Sequence, residues 1–222
     1  MGDVRITLAQ RGVALVREAC RVNGWPLVNG KSRPEGDNRR PVLTLAAKLP
    51  PFSGATCGVY VPGRRARLCV DAHLCARPGY GGRAWSWPGY VVDRTPYGVH
   101  AHELGHHAEV MVRWRALLEP AHPLANIMGN PARRGRAETQ EPALTSYCPN
   151  DHEWWAEMFR LFMTNSDLLR LVRPKTYSLF LRMGLVPFET RPWEEVLADA
   201  PECTRAAARG KIATTNRAVA RR

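Results

Sequence analysis

Apolar residues recur at helical spacing near the start of the chain, and short apolar runs follow them. The spacing from about Ile6 to Arg21 predicts an amphipathic helix, and Asn23-Gly24 supplies a signal for its end. Strands are predicted at the apolar runs Val42–Leu45, Cys57–Val61 and Leu68–Leu74, and at the shorter Tyr90–Val92. Pro62-Gly63-Arg64-Arg65, between two of these runs, predicts a hairpin turn.

Helical periodicity returns in the second half of the chain. One helix is predicted from about Val99 to Glu119, where Pro120 would close it. Another begins at Asp151, a residue suited to capping, and continues through Phe162. Shorter helices are predicted from Asn165 to Val172, from Pro174 to about Met183, and after Pro192. The order of helix, strands and then helices predicts an α+β fold with a small mixed sheet and a C-terminal helical subdomain.

Three segments lack a clear period and are predicted as loops, at 29–41, 78–89 and 120–150. The last is long for a structureless connection, a property that often marks a functional loop. Trp85 and Trp87 in the second loop either form a wall of a substrate site or pack over the core. Length and pattern together predict one domain over residues 1–203, with its core motifs in 90–185, and a basic, flexible tail over 204–222.

Charge and hydropathy restrict the classes of partner. The formal net charge is +12, and the segment from Arg205 to Arg222 holds five arginines, one lysine and no acid. This excess, with the smaller cluster of Arg133, Arg134 and Arg136, permits contact with nucleic acid but equally fits a solvated tail and loop. The apolar runs fall short of the roughly 18 residues of a membrane span. The N-terminus lacks the apolar core of a secretory signal, so we predict a cytoplasmic protein without a membrane partner.

The six cysteines are scattered along the chain without a Cys-x-x-Cys pair. In a reducing compartment most of them would be small buried apolar residues. A disulfide that joins Cys57, Cys69 or Cys75 to a neighbour stays open as an alternative.

A histidine motif lies within the helix predicted at Val99–Glu119 and reads His102-Glu103-Leu104-Gly105-His106. One helical turn separates the two histidines, so both imidazoles share one face and can bind the same Zn²⁺. Glu103 is then placed to take a proton from a water that the metal activates. A catalytic zinc usually has three protein ligands, so this motif leaves one ligand to be found.

Glu153 on the later helix is the best candidate for the third ligand. It lies one turn from Glu157 on a helix rich in tryptophan, where a carboxylate is costly to bury unless it is paired or bound to metal. Glu153 as a ligand and Glu157 as an acceptor from a ligand histidine would satisfy both side chains. Two alternatives stay open: the glutamates form a solvated stripe of an amphipathic helix, or Cys148 or His152 takes the ligand position.

These motifs together resemble the catalytic domain of anthrax lethal factor and its relatives, which are gluzincins. The resemblance covers about residues 99–162 and rests on His102–His106, Leu144–Tyr147 and Glu153–Leu161. It implies a zincin-like fold with His102, His106 and Glu153 as zinc ligands. It also implies Glu103 as the general base, Tyr147 as a hydroxyl that assists at the substrate carbonyl or leaving group, and Glu157 as support for the ligands. The first ninety residues carry no match to this family.

The other histidines receive separate predictions. His152 directly precedes the candidate third ligand and could line the cleft. His73 lies in the run Leu68–Leu74, and if that run is an edge strand beside the cleft, its backbone could hold an extended substrate. The alternative for this run is an ordinary sheet edge. His100 and His107 point to other sides of their helix, where a surface or core histidine is favoured.

The sequence therefore predicts a zinc metalloendopeptidase that acts on a protein or peptide, with Glu103 as base and Tyr147 as donor to the developing oxyanion. One alternative is a protease similar to the SprT-like proteins, which act on DNA-bound proteins. The basic tail motivates it, although that group completes its site with a third histidine. Another alternative is a zinc-stabilised structural or binding module without catalysis. Such a module needs neither Glu103 nor Tyr147, and it normally closes all four zinc positions.

Overall fold

The computed structural model describes residues 4–28, 40–46, 56–75, 94–145, 147–148 and 150–187. In these ranges the fold is mixed α+β, as predicted, with a small sheet and seven helices. The strands are β1 (Leu27–Val28), β2 (Val42–Ala46), β3 (Gly58–Val61) and β4 (Arg65–Val70). The helices are α1 (Val4–Val22), α2 (Pro96–Leu118), α3 (Ala125–Met128), α4 (Pro131–Thr139), α5 (Asp151–Thr164), α6 (Ser166–Val172) and α7 (Pro174–Arg182). Within the same ranges, no helix has the length and apolar character required to span a membrane.

Five of the sequence predictions lie wholly or mostly outside the described residues. They concern the loop 29–41, of which only 40 and 41 are described, the loop 78–89 with Trp85 and Trp87, the strand at Tyr90–Val92, the helix after Pro192 and the tail at 204–222. The other predicted helices are confirmed as α1, α2, α5, α6 and α7, with ends that differ by a few residues.

Helix α1 packs its apolar face against α2. Leu8, Leu15, Val16 and Ala19 recur at helical spacing, and all four are buried. The helix ends at Val22, and the chain then turns through Gly24 at a φ of 64°. Glycine reaches this left-handed conformation without the steric cost that a side chain would add, so the predicted stop at Asn23-Gly24 is confirmed.

The described sheet has the strand order β1-β2-β4-β3. Strand β2 pairs in parallel with β1 and β4, whereas β3 pairs antiparallel with β4 through the predicted hairpin. The prediction of an edge strand at Leu68–Leu74 is wrong, because β2 lies on one side of β4 and the hairpin folds β3 onto the other. The edge next to α2 is therefore β3, and the chain after β4 passes into a turn that contains His73.

The prediction of a loop at 120–150 is wrong, because the segment contains α3 and α4. The buried face of α4 consists of small residues, which are Pro131, Ala132, Gly135 and Thr139. Arg133 and Arg134 are exposed on the same helix, so this part of the basic cluster is helical. Arg136 instead forms an ion pair with Asp151 at 2.9 Å and ties α4 to the start of α5.

Helix α5 runs through the core, and every residue from Trp154 to Thr164 is buried. Its cap is Asn150 rather than the predicted Asp151, since the Asn150 side chain accepts a hydrogen bond from the backbone N–H of Glu153 at 3.0 Å. Trp155, Phe159 and Phe162 meet Phe180 of α7 with ring centroids 4.7–6.1 Å apart. This packing holds α5 in a fixed position for the side chains of its first turns.

Helices α2 and α5 approach closely where Gly105 faces Ala156. A Cβ atom on Gly105 would lie 2.7 Å from the Cα and 2.9 Å from the carbonyl oxygen of Ala156. The indole N–H of Trp155 donates to the carbonyl oxygen of Gly105 at 3.0 Å. This close approach places the histidine motif directly against the first turns of α5.

Replacing Gly105 with alanine should lower the free energy of unfolding by about 1–3 kcal/mol, because the new methyl group meets backbone rather than a movable side chain. The loss should appear although alanine favours a helix over glycine by about 1 kcal/mol. Urea unfolding of both proteins measures it. Gly129→Ala is the matched control, since its Cβ would come no closer than 3.5 Å to the atoms around it. Equal stability of the two variants would contradict the proposed clash.

Cys57 and Cys75 are joined by a disulfide that ties the residue before β3 to the turn after β4. Of the five described cysteines, Cys20 and Cys69 are the buried free thiols that the sequence predicts for most of them, and Cys148 is a half-buried free thiol. The pairing that the sequence left open is thus present.

Candidate metal centre

Three side chains from α2 and α5 converge on one point. His102 and His106 lie one turn apart on α2, and Glu153 projects from the first turn of α5. The Nε2 atom of His102 is 2.9 Å, and that of His106 3.6 Å, from Oε2 of Glu153. One ligand atom from each of the three residues lies within 4.8 Å of the others. The cluster therefore has the geometry of a candidate metal site.

The separations of the ligand atoms fit a transition metal. Zinc–nitrogen and zinc–oxygen bonds near 2.1 Å at a tetrahedral angle would put ligand atoms about 3.4 Å apart. The observed 2.9 and 3.6 Å lie on either side of that value. Two imidazoles and one carboxylate suit zinc, but they also suit other divalent transition metals. The geometry thus supports metal binding without fixing which metal.

The second ring nitrogen of His102 is held by Glu157. Nδ1 of His102 lies 2.8 Å from Oε1 of this fully buried carboxylate. The hydroxyl of Thr145 donates to Oε2 of Glu157 at 2.9 Å, and Arg160, itself 2% exposed, donates to Oε1 at 3.1 Å. Glu157 therefore orients His102 from behind, so that Nε2 points towards His106 and Glu153.

The charges in the cluster are strongly coupled. Burial alone would lower the pKa of His102, but hydrogen bonds to Glu153 and Glu157 outweigh burial and raise the pKa to about 10. Burial would raise the pKa of Glu153, but the hydrogen bonds from His102 and His106 lower it. The two carboxylates thus favour the protonated form of His102. A divalent cation would displace that proton, because histidine binds a metal through a neutral ring nitrogen.

Glu103 and Tyr147 lie beside the three candidate ligands without belonging to the cluster. All five side chains line a cavity of about 450 Å³. Glu103 is 8% exposed, and burial is the main cause that raises the pKa of its carboxyl group. Tyr147 is 47% exposed, and its ring centroid lies 5.9 Å from that of His102. The structure thus brings the predicted base and the predicted hydroxyl to the same opening.

The rest of the cavity wall comes from β3, from the later turns of α2 and from the start of α5. The strand side is formed by Thr56, Gly58, Val59, Tyr60 and Pro62, and α2 adds Glu109, Val110 and Arg113. His152 also lines the cavity, as predicted, and its Nδ1 lies 2.8 Å from Oε2 of Glu109. The cavity is therefore a groove between an edge strand and the two helices that carry the cluster.

The remaining predicted residues lie elsewhere. His73 is exposed in the turn after β4 and does not line the cavity, and its carbonyl oxygen accepts a hydrogen bond from Arg5 at 2.9 Å. Cys148 is a half-buried free thiol outside the ligand cluster. His100 and His107 are core residues, and burial lowers their pKa values to about 4 and about 3.

Sequence reasoning missed four side chains at this site: Tyr60, Glu109, Thr145 and Arg160. Two of them carried a local signal, since Arg160 follows Glu157 at the i+3 spacing of a helical ion pair, and Thr145 lies two residues before Tyr147. Tyr60 reaches the site from a strand 47 residues away from its partner His107. Contacts at such separations depend on the tertiary fold.

Comparison with known proteins adds no assignment. No family model and no curated protein matches the sequence, and no solved structure matches the fold. The class is therefore defined by the chain's own geometry, as a mixed α+β protein with a two-histidine, one-glutamate candidate metal site.

Glu153→Gln is expected to weaken Zn²⁺ binding by roughly 100-fold or more. Loss of a hydrogen bond that only supports a ligand already weakens metal binding by about 10- to 100-fold, and this change alters the ligand itself. The amide keeps the size of the side chain but loses the charge of the ligand oxygen. Metal content by mass spectrometry and competition with a chelator measure the change. Glu138→Gln on α4, where the carboxylate pairs with Arg182 away from the cavity, is the control and should bind like the parent. Full affinity in Glu153→Gln would move the third-ligand role to Cys148 or His152.

Proposed function

We propose that this chain is a zinc-dependent metallopeptidase with a zincin-like fold, similar to the gluzincins of the lethal factor group. The observation that carries the proposal is the composition of the cavity. It contains a three-ligand cluster and, beside it, the carboxylate of Glu103 and the phenol of Tyr147. Three ligands leave a fourth zinc position open, as catalytic sites do and structural sites do not.

Each group has a defined part in peptide hydrolysis. A bound zinc ion supplies Lewis-acid chemistry, which polarises a carbonyl group and acidifies water. Glu103 would accept the proton of the attacking water and return it to the leaving amine. Its buried setting favours this role, because the raised pKa brings the carboxyl group closer to the pH at which it must both take up and release a proton.

Tyr147 would assist by hydrogen bonding. Its ring lies over the same opening as His102, and nearly half of its surface is exposed to the cavity and solvent. A phenol donor at this place can stabilise negative charge that develops on the carbonyl oxygen of the substrate. The role fits its position on a short segment before α5 rather than inside the packed core.

The substrate would lie along β3. This strand is one edge of the described sheet, and its residues form one side of the groove. An extended peptide can add to such an edge through main-chain hydrogen bonds, which hold the chain without selecting its sequence. The sequence assigns substrate binding to the run that contains His73, whereas we propose β3 for it.

The two alternative functions make different demands on the site. A SprT-like site needs a third histidine, whereas the cluster in the described residues has Glu153 in that position. A purely structural zinc site would leave Glu103 as a buried carboxylate without a task, which is costly to maintain. Metal-assisted hydrolysis gives a role to both residues, to Glu153 as a metal ligand and to Glu103 as the base.

The experiment that tests the proposal is cleavage of an unbiased peptide library by the zinc-loaded protein, followed by mass spectrometry of the products. We expect cleavage that stops when the metal is removed by a chelator and returns when zinc is added. A folded sample with one zinc per chain that cleaves no peptide would contradict the proposal and favour the structural module.

A further inference from the structure

We propose that Tyr60 is a positioning residue, which holds the general base Glu103 and the ligand His106 in place through a link to the buried His107. The inference rests on the proposed function. Tyr60 is on β3 and meets three residues of α2 at once. Its backbone N–H donates to the carboxylate of Glu103, its ring faces that of His106, and its hydroxyl lies 3.1 Å from Nδ1 of His107.

The two candidate ligand histidines are supported in different ways. His102 has Glu157 on its second ring nitrogen, at 2.8 Å. Among the described residues, the second ring nitrogen of His106 has no hydrogen-bond partner. What His106 has is the ring of Tyr60, with centroids 6.3 Å apart and planes 22° from parallel. The torsion that turns an imidazole is soft, so this stacked ring supplies the restraint that a hydrogen bond supplies for His102.

His107 anchors the ring that does this. It directly follows His106, is completely buried, and meets Trp25 edge-on with centroids 5.7 Å apart. The Nε2 atom of His107 has no hydrogen-bond partner among the described residues. The bond between Nδ1 and the Tyr60 hydroxyl is therefore the one side-chain hydrogen bond of this imidazole within the described residues. A buried imidazole with one nitrogen unsatisfied is costly. The remaining hydrogen bond to Tyr60 is therefore strongly favoured. Tyr60 is thus held at two points, its backbone N–H by Glu103 and its hydroxyl by His107.

Gly58 shows how tightly β3 is set against the base. A Cβ atom there would lie 3.2 Å from Cγ and from Oε1 of Glu103, and 2.2 Å from Val99. The strand thus passes close to Glu103 at Gly58 and holds its carboxylate at Tyr60. Any loosening of Tyr60 would release both the base and the ligand His106, whereas His102 would keep its bond to Glu157.

The test uses Zn²⁺ alone as the probe, with affinity measured by competition with a chelator. Tyr60→Leu removes the ring and the hydroxyl and should weaken zinc binding by about 10- to 100-fold. Tyr60→Phe keeps the ring and should weaken it by a smaller factor. In a peptide cleavage assay, Tyr60→Phe should lower kcat more than it raises KM. Tyr177→Phe and Tyr177→Leu are matched controls, because Tyr177 is a half-buried tyrosine on α7 that packs on Phe162 away from the cavity.

The link through His107 is tested by a double-mutant cycle between Tyr60→Phe and His107→Phe, again with zinc affinity as the readout. The two effects should be clearly non-additive, because each substitution removes the same contact. Additive effects would overturn the link. If Tyr60→Leu binds zinc as tightly as Tyr177→Leu at equal loss of thermal stability, Tyr60 is structural and the inference is wrong. Zinc affinity needs no activity, so failure of the parent to cleave peptides would refute the proposed function and leave this result standing.

Discussion

Replacing Glu103 with glutamine should reduce peptide cleavage by roughly 10²- to 10⁴-fold, the contribution expected of a general base. One zinc per chain should stay bound, because Glu103 lies outside the cluster of His102, His106 and Glu153. The amide oxygen can still accept the backbone N–H of Tyr60, so the packing against β3 should persist. Single-turnover kinetics and metal content measure the two halves of the prediction.

Glu109→Gln is the matched control for this experiment. Glu109 is on the same helix, lines the same cavity and is similarly buried, but its carboxylate is bonded to His152 rather than directed at the cluster. We expect its kcat to change far less than that of Glu103→Gln. Undiminished cleavage by Glu103→Gln would remove the base from the mechanism. Loss of zinc together with activity would instead place Glu103 among the ligands.

The ligand cluster could be predicted because its information is local. His102 and His106 are related by one helical turn, and Glu153 and Glu157 by another. Once a segment is predicted to be helical, the spacing of the two residues in the sequence determines their relative position. What joins the pairs is the contact at Gly105 and Ala156, where small residues let two helices meet. Both small residues lie inside the motifs themselves, at positions that can be read from the sequence.

The cleft wall could not be predicted in the same way. The runs at Cys57–Val61 and Leu68–Leu74 have similar composition, and either can be the outer strand of a hairpin. The choice depends on which of them pairs with β2, a contact between residues far apart in the chain. Tyr60 is a component of the site for the same reason, since its partners follow from the position of β3 and from no spacing in the sequence.

Helix α4 was missed for a different physical reason. An amphipathic helix is predicted from large apolar residues that recur on one face. The buried face of α4 instead consists of proline, alanine, glycine and threonine. The space is small because Trp155 and Leu179 fill it from the other side, within 3.9 and 3.2 Å of a Cβ on Gly135. Because the neighbouring helices supply the large side chains, α4 lacks the apolar periodicity that predicts a helix. Its exposed arginines then make the sequence of this segment resemble that of a loop.

Glu157→Ala should lower the free energy of unfolding of the metal-free protein by about 3–5 kcal/mol, the usual effect of breaking a buried ion pair. The cause is the group left behind. Arg160 is 2% exposed and gives two hydrogen bonds to Glu157, at 3.1 and 3.3 Å. Without the carboxylate its charge is buried and unpaired. Burial would raise the pKa of Glu157, but the charge of Arg160 and the hydrogen bond from His102 lower it to about 2.

Stability and metal binding can be separated at this residue. The double variant Glu157→Leu with Arg160→Met replaces the ion pair by apolar side chains of similar size, a change that is often neutral or stabilising. It should recover most of the stability lost in Glu157→Ala. Zinc affinity should stay roughly 10- to 100-fold below that of the parent, because Nδ1 of His102 still lacks its acceptor. Urea unfolding with a chelator present gives the first quantity, and competition for zinc gives the second. Recovery of both would mean that Glu157 supports the fold alone, whereas recovery of stability without affinity would assign it to the orientation of His102.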